Sequence, residues 1–385
     1  MCHQTCRELY FAYPSSVDEE VANQLATDLA QAVHNWTASA GCSVQAAKPI
    51  AYDSVSEAIA KIRKAERSGV AIFVLDNEPT AYYEVAFQLE HWRVKRITES
   101  VLREHYRYLK KGCWNKRKKM LDPALGKRRW GDFVNLNALA VLQLLEAVPF
   151  RLDQAGPYEA QLFIDVGYDR RHFAFSLLIA RSKDKDPNFH IISRTYVKTD
   201  PQQEAINPKI LAGQIVELFE AVLRRTSDPL ESLLVLRDGR FCRKEYGGVD
   251  DAVKILKDTG KLSEGARVDL ADFRKDSLKA VRLWEIGDHT DTVKNPLEGQ
   301  AVQLNDRMIV VASTGAATLP QGTAQPYMIV GNRRCSDVID VAQATFAGAQ
   351  LNWSSPRVAQ RLPLHAKRAD EDLKERAAQE IKRYH

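Results

Sequence analysis

"LLVLRDGRF", residues 233–241, limits the fold more than any other stretch of the chain. Four successive apolar residues, Leu233 to Leu236, leave no polar face, so a strand built from them has to be covered on both sides. That is the environment of a parallel sheet between layers of helices, and it predicts an α/β protein. The run then meets Arg237 and Asp238. A carboxylate at the end of a buried strand either opens a turn or sits beside something that attracts negative charge. The stretch alone leaves both readings open.

The first part of the chain alternates strand and helix. "ELYFAYP" (8–14) reads as a strand, and 18–36 as a helix with Val21, Leu25, Leu29 and Val33 on one face. Residues 54–66 follow as a helix and "GVAIFVLD" (69–76) as a fully apolar strand. Residues 80–95 and 135–148 are predicted helices, with 110–129 as a loop between them. This order predicts a small doubly wound, Rossmann-like domain. It contains neither GxGxxG nor GxxxxGK[ST], so nothing in it argues for a dinucleotide or ATP. "DQAGPYEA" (153–160) reads as a linker, which divides the chain into residues 1–152 and 153–385.

Beyond the linker come three strands, "QLFIDVG", "HFAFSLLIA" and "HIISRTYV", then a helix over 209–225 and the strand ending at Asp238. That order is the order of an RNase H-like fold. Further strands are expected near 267–273, 308–313 and 326–331, and helices over 336–350 and 366–384.

Formal net charge is only +5, but its distribution is uneven. Lys116, Arg117, Lys118, Lys119, Lys127, Arg128 and Arg129 crowd into one stretch against the single acid Asp122, with Trp114 and Trp130 interleaved. Charge this dense suits phosphates, and rings suit stacked bases, so nucleic-acid backbone contact is expected there. A solvated loop is the plain alternative. Six scattered cysteines and the absence of a CxxC pair argue against a disulfide scaffold or zinc site. With no signal-like start and no apolar run long enough for a bilayer, the expectation is a cytoplasmic protein without membrane contact.

Four acids stand at informative places. Asp165 interrupts "LFIDVG" among apolar neighbours, Glu204 precedes a helix in "TDPQQEAI", Asp238 ends its strand, and Asp370 opens the last helix with Glu371 and Asp372 as rivals. Glu204, Asp238 and Asp370 each alone read as ordinary helix-start or turn acids, whereas Asp165 within its strand needs a polar face or a cation. Together they make the oxygen-rich set that two Mg²⁺ or Mn²⁺ ions need for phosphodiester hydrolysis.

From "LFIDVG" through "LLVLRDGRF", "NPLEGQAV", "GTAQPYMIVG" and "LNWSSP" to "RLPLHAKRAD", the order and spacing of motifs resemble the PIWI domain of Argonaute proteins of prokaryotic type. The resemblance implies that Asp165, Glu204, Asp238 and Asp370 are the catalytic tetrad, with Asp165, Asp238 and Asp370 as metal ligands. It implies guide-directed binding and metal-dependent endonucleolytic cleavage of the paired target strand, with a short guide DNA or RNA and its target as partners. The first part then resembles a MID domain, which holds the guide's 5′ end. Tyr83 fits that pattern, while Phe87, Ser100 and Leu144 depart from it; His91, Lys95, Ser100 and the terminal His385 complete the candidate pocket. No counterpart of the N or PAZ domains is seen. The alternative is a guide binder that does not cleave and acts with a partner protein, supplying the missing functions, in defence against foreign DNA.

Overall fold

The computed structural model describes residues 7–37, 44–46, 49–64, 69–76, 85, 88–89, 92–145, 152, 156–181, 189–198, 205–223, 228–275, 281–286, 293–316, 323–353 and 358–383. The chain folds as two compact units, Met1–Pro149 and Phe150–His385.

Unit 1 runs β1 (Arg7–Pro14), α1 (Glu19–Thr37), β2 (Val44–Ala46), β3 (Ile50–Tyr52), α2 (Val55–Arg63), β4 (Gly69–Leu75), β5 (Arg93–Thr98), α3 (Glu99–Lys111), β6 (Cys113–Asn115), β7 (Met120–Asp122) and α4 (Pro123–Leu144). Its sheet has the order β2-β1-β4-β5, with β3 taking over from β2 beside the far end of β1, and every pairing is parallel. Val70 to Leu75 are all buried because β4 has helices on both faces: Val70, Ile72 and Val74 join the core under α1 and α4, and Ala71, Phe73 and Leu75 the core under α2. In α1, Val21, Leu25, Leu29 and Val33 make one buried stripe, while Glu19 and Glu20 sit in the first turn, where the helix dipole favours acids.

Two expectations fail here. Arg93 to Lys95, read as the end of a helix, belong to β5, which pairs with β4. The predicted loop 110–129 is also structured, as the end of α3, the β6–β7 hairpin and the first turns of α4. Asp122 caps α4 by accepting from the N–H groups of Ala124 (3.1 Å) and Leu125 (3.3 Å), with Pro123 opening the helix. Gly126 lets α4 lie against α3; a Cβ there would stand 2.0 Å from the Tyr108 carbonyl oxygen.

Unit 2 runs β8 (Ala160–Val166), β9 (His172–Ala180), β10 (Phe189–Val197), α5 (Pro208–Leu223), β11 (Leu230–Asp238), α6 (Arg243–Asp258), β12 (Leu262–Arg274), β13 (Glu285–Ile286), β14 (Val293–Lys294), β15 (Gln300–Asn305), β16 (Met308–Ala312), β17 (Tyr327–Gly331), α7 (Val338–Gln350) and α8 (Leu364–Arg383). The large sheet has the order β10-β9-β8-β11-β12-β17-β16-β15. β8, β11 and β12 are parallel to one another, and the strands outside them are antiparallel. The β10-β9-β8-β11-β12 portion has the RNase H-like order. β11 explains its own sequence: Leu233 and Val235 enter the core under α5 and α6, and Leu234 and Leu236 the core under α7 and α8.

Candidate functional site

Alternation along a strand decides which way each acid faces. In β8, Leu162 and Ile164 belong to the α5–α6 side and Phe163 to the α7–α8 side, so Asp165 shares the side of Phe163. In β11, Leu234 and Leu236 put Asp238 on that same side. The parallel register pairs Ile164 with Arg237, which makes Asp165 and Asp238 neighbours at the carboxyl ends of adjacent strands. Open α/β sheets present their ligand sites at that edge.

Gly239 completes the placement. Its φ of +80° turns the chain sharply after Asp238, and its N–H donates to Phe273 O at 2.8 Å, so the strand stops with its last carboxylate at the tip. Below it Arg237 is 1% exposed; one guanidinium N–H donates to the Asp238 carbonyl, and Nε lies 3.5 Å from Glu245 Oε2.

A lysine unites the acids. Lys275 follows the last residue of β12, and its Nζ lies 2.9 Å from Asp165 Oδ2, 3.2 Å from Asp238 Oδ2 and 3.4 Å from Asp370 Oδ1. Asp370 comes from α8 and also receives Lys374 Nζ at 2.6 Å. Its rivals face elsewhere: Glu371 is exposed with Lys367 4.0 Å away, and Asp372 lies 3.5 Å from Arg368. Burial and the adjacent Asp165 carboxylate push the Asp238 carboxyl up to about 7 against the pull of Lys275. Burial disfavours the Lys275 ammonium, but Asp165 and Asp238 outweigh it and hold it charged well above the usual lysine range. For Asp370 burial is likewise outweighed, here by Lys374 and Lys275, and its carboxyl is lowered.

The sequence reading missed Lys275. "DFRKDS" has no feature that distinguishes this lysine from the other basic residues, since only strand order reveals that β12 lies beside Asp238. Arg361 was missed too; it donates to the Lys275 carbonyl, while its own carbonyl accepts from Ser313 Oγ at 2.6 Å.

An open cleft of about 500 Å³ adjoins the acids, lined among others by Tyr168, Arg170, Asp238, Gly239, Arg240, Arg274 and Lys275. Tyr168 is 104% exposed, and Arg170 holds a left-handed backbone with φ +57°. The turn that carries them is fixed by Asp169 Oδ1, which accepts from the N–H groups of Arg171 (3.0 Å) and His172 (3.2 Å).

Of the other expected residues, Tyr83, His91, Glu204 and His385 lie outside the described residues. Lys95 is half-buried in β5, where burial first and Arg96 second lower its ammonium below the usual lysine range; Ser100 is exposed in the first turn of α3. Lys116 to Lys119 form the exposed turn of the β6–β7 hairpin, and Lys127, Arg128 and Arg129 an exposed turn of α4. The two tryptophans part ways. Trp114 is 57% exposed beside the lysines, whereas Trp130 is 4% exposed and donates to Asp28 at 2.7 Å, so it is core and not a stacking platform.

Among the described residues no group of three or more acids, histidines or cysteines forms a ready metal cluster; an ammonium stands between Asp165, Asp238 and Asp370. Nor is any described helix long and apolar enough to cross a membrane.

Solved structures resolve what kind of scaffold carries this site. Clostridium butyricum Argonaute, bound to a guide DNA and a 19-mer target DNA, superimposes with a TM-score of 0.67 at 14% identity over 97% of this chain. The chain has the Argonaute fold. Aquifex aeolicus Argonaute agrees, with a TM-score of 0.60 at 16% identity over 96% of the chain. This chain covers 48% and 49% of those two Argonautes, about half the length of each, and its mixed α/β architecture is of the MID/PIWI type. No protein-family model matches the sequence, and no curated protein matches it.

Proposed function

We propose that this protein binds a short nucleic-acid guide and its complementary target, and cleaves the target strand with divalent metal held by Asp165, Asp238 and Asp370. The observation that carries the reading is the meeting of these three carboxylates, from two strands and a helix, around one cationic atom. Carboxylates this close repel one another unless a cation or a proton offsets their charge. The donor set is all carboxylate oxygen, which suits a hard ion such as Mg²⁺ or Mn²⁺ and not zinc. When bound, such an ion supplies an activated water and charge stabilisation at a phosphoryl oxygen. Glu204 is proposed as the fourth acid and two ions as the complement.

The chain's own residues do the rest. Arg240 and Arg274, at the cleft beside Asp238, are placed to hold a phosphodiester against the acids. The β6–β7 hairpin and the exposed face of α4 supply cations for backbone phosphates, and Lys95, with Tyr83, His91, Ser100 and His385, is proposed for the guide's 5′ end. The guide and target DNA on the Clostridium Argonaute support nucleic acid as the partner.

Changing Asp370 to Asn removes charge without volume. Mn²⁺-dependent cleavage of a guide-paired target should fall by at least about 10³-fold with binding retained, as expected for loss of a group that acts in the transition state. Wild-type cleavage by the Asn variant would refute the assignment. A second reading, a guide binder that does not cleave and works with a partner protein in defence against foreign DNA, draws on Lys275, which already satisfies the acids. Equal product from wild type and D165N, with guide binding intact in both, would favour it.

A further inference from the structure

The acids of this site are not waiting for a cation; they hold one. Lys275 Nζ touches an oxygen from each of Asp165, Asp238 and Asp370, and its backbone is fixed by Arg361 donating to its carbonyl. The lysine stem is a flexible four-carbon chain, so its ammonium can swing, and the same residue lines the open cleft next to Arg240 and Arg274. Asp370 keeps a second ammonium, Lys374 at 2.6 Å, when Lys275 leaves.

We propose that Lys275 is a built-in counter-ion that competes with divalent metal for Asp165 and Asp238, so that metal enters only as the ammonium swings into the cleft. There the ammonium faces the position of a bound phosphate. The inference rests on the reading of Asp165, Asp238 and Asp370 as metal ligands and adds what controls their loading. Lys275 Nζ sits 2.9 Å from Asp165 Oδ2 and 3.2 Å from Asp238 Oδ2, on the oxygens a metal would need, so an ion and this ammonium cannot hold those oxygens together. A phosphodiester in the cleft stabilises the displaced ammonium and thereby couples metal loading to nucleic-acid binding.

The test uses Mn²⁺ alone, with no nucleic acid and no turnover, on the full chain. Mn²⁺ affinity is read by electron paramagnetic resonance for wild type, K275M, K275Q and the double variant D165N/K275M. Removal of one charge-assisted contact per acid should tighten Mn²⁺ binding by about ten-fold or more in K275M and K275Q, and D165N should abolish that gain. Equal affinity in wild type and both single variants overturns the lysine proposal while leaving the metal site standing. Absence of Mn²⁺ binding in every form overturns both it and the metal-nuclease reading. Should the variants fold poorly, the wild type decides alone. Saturating Mn²⁺ should raise labelling of Lys275 by an amine-reactive reagent several-fold, read by peptide mass spectrometry, and unchanged labelling refutes displacement.

Discussion

His365, five residues before Asp370, shows how much a single buried group can dictate. It is fully buried, packs edge-on against Phe163 at 5.8 Å, and neither ring nitrogen has a hydrogen-bond partner among the described residues. Burial pushes its pKa down to about 3. The sign follows directly: the unfolded chain takes up a proton near the ordinary value of 6.5, the folded one does not, so stability is whole above that value and is lost as pH falls. Each unit between about 6.5 and about 3 costs roughly 1.4 kcal/mol. His365→Leu should therefore flatten the fall in melting temperature between pH 7 and pH 5, measured by scanning calorimetry against wild type. A slope identical to wild type would show that this ring is not the acid-sensitive group. Asp165 was legible at the same scale, because a carboxylate between Ile164 and Val166 has to be explained, whereas Lys275 looks like any surface lysine until strand order is known.

Elements differed in legibility for the same physical reason. β8, β9 and β11 announce themselves as apolar runs because both faces are covered, and α5 by its apolar stripe. β5 does not: "RVKRIT" carries three cations in six residues and buries only Val94 and Ile97, so pairing with β4 overrides its composition. α6 was hidden by Gly247 and Gly248. The second of these is demanded by packing, since a Cβ there would meet the Pro208 carbonyl at 2.7 Å. α4 was started too late for a related reason, with Gly126 read as a loop residue when it marks contact with α3. Gly126→Val should separate these helices and lower stability by about 1–3 kcal/mol, the usual range for overpacking, read from denaturant midpoints; an unshifted midpoint would mean the helices slide freely. At the β6–β7 hairpin, replacing Lys116, Arg117, Lys118 and Lys119 together by Ala should weaken binding to all sequences alike and flatten the salt dependence, as loss of phosphate contacts requires. A salt slope equal to wild type would leave the hairpin a solvated turn.

On the scale of the molecule, the two units keep separate cores, with the clusters around Phe11 and Phe73 in the first and those around Phe175 and Phe273 in the second. All three described acids of the site belong to the second unit, along with Lys275. Saturating Mn²⁺ should therefore slow amide hydrogen exchange at the ends of β8 and β11 and in the first half of α8, and leave α1 and α4 unchanged. Equal protection throughout would mean that the ion acts elsewhere. The order of β10, β9, β8 and β11 was readable from sequence because three apolar strands in a row pair as hairpins; the addition of β15 to the edge was not, since all six of its residues are exposed.

The lysine between the acids also has a meaning for descent. An ordinary metal centre that loses a ligand leaves the remaining carboxylates without a cation, and the fold suffers before function can drift. Here Asp165, Asp238 and Asp370 share an ammonium that is encoded in the chain itself. A substitution at one of the three acids then leaves a cation in place beside the others.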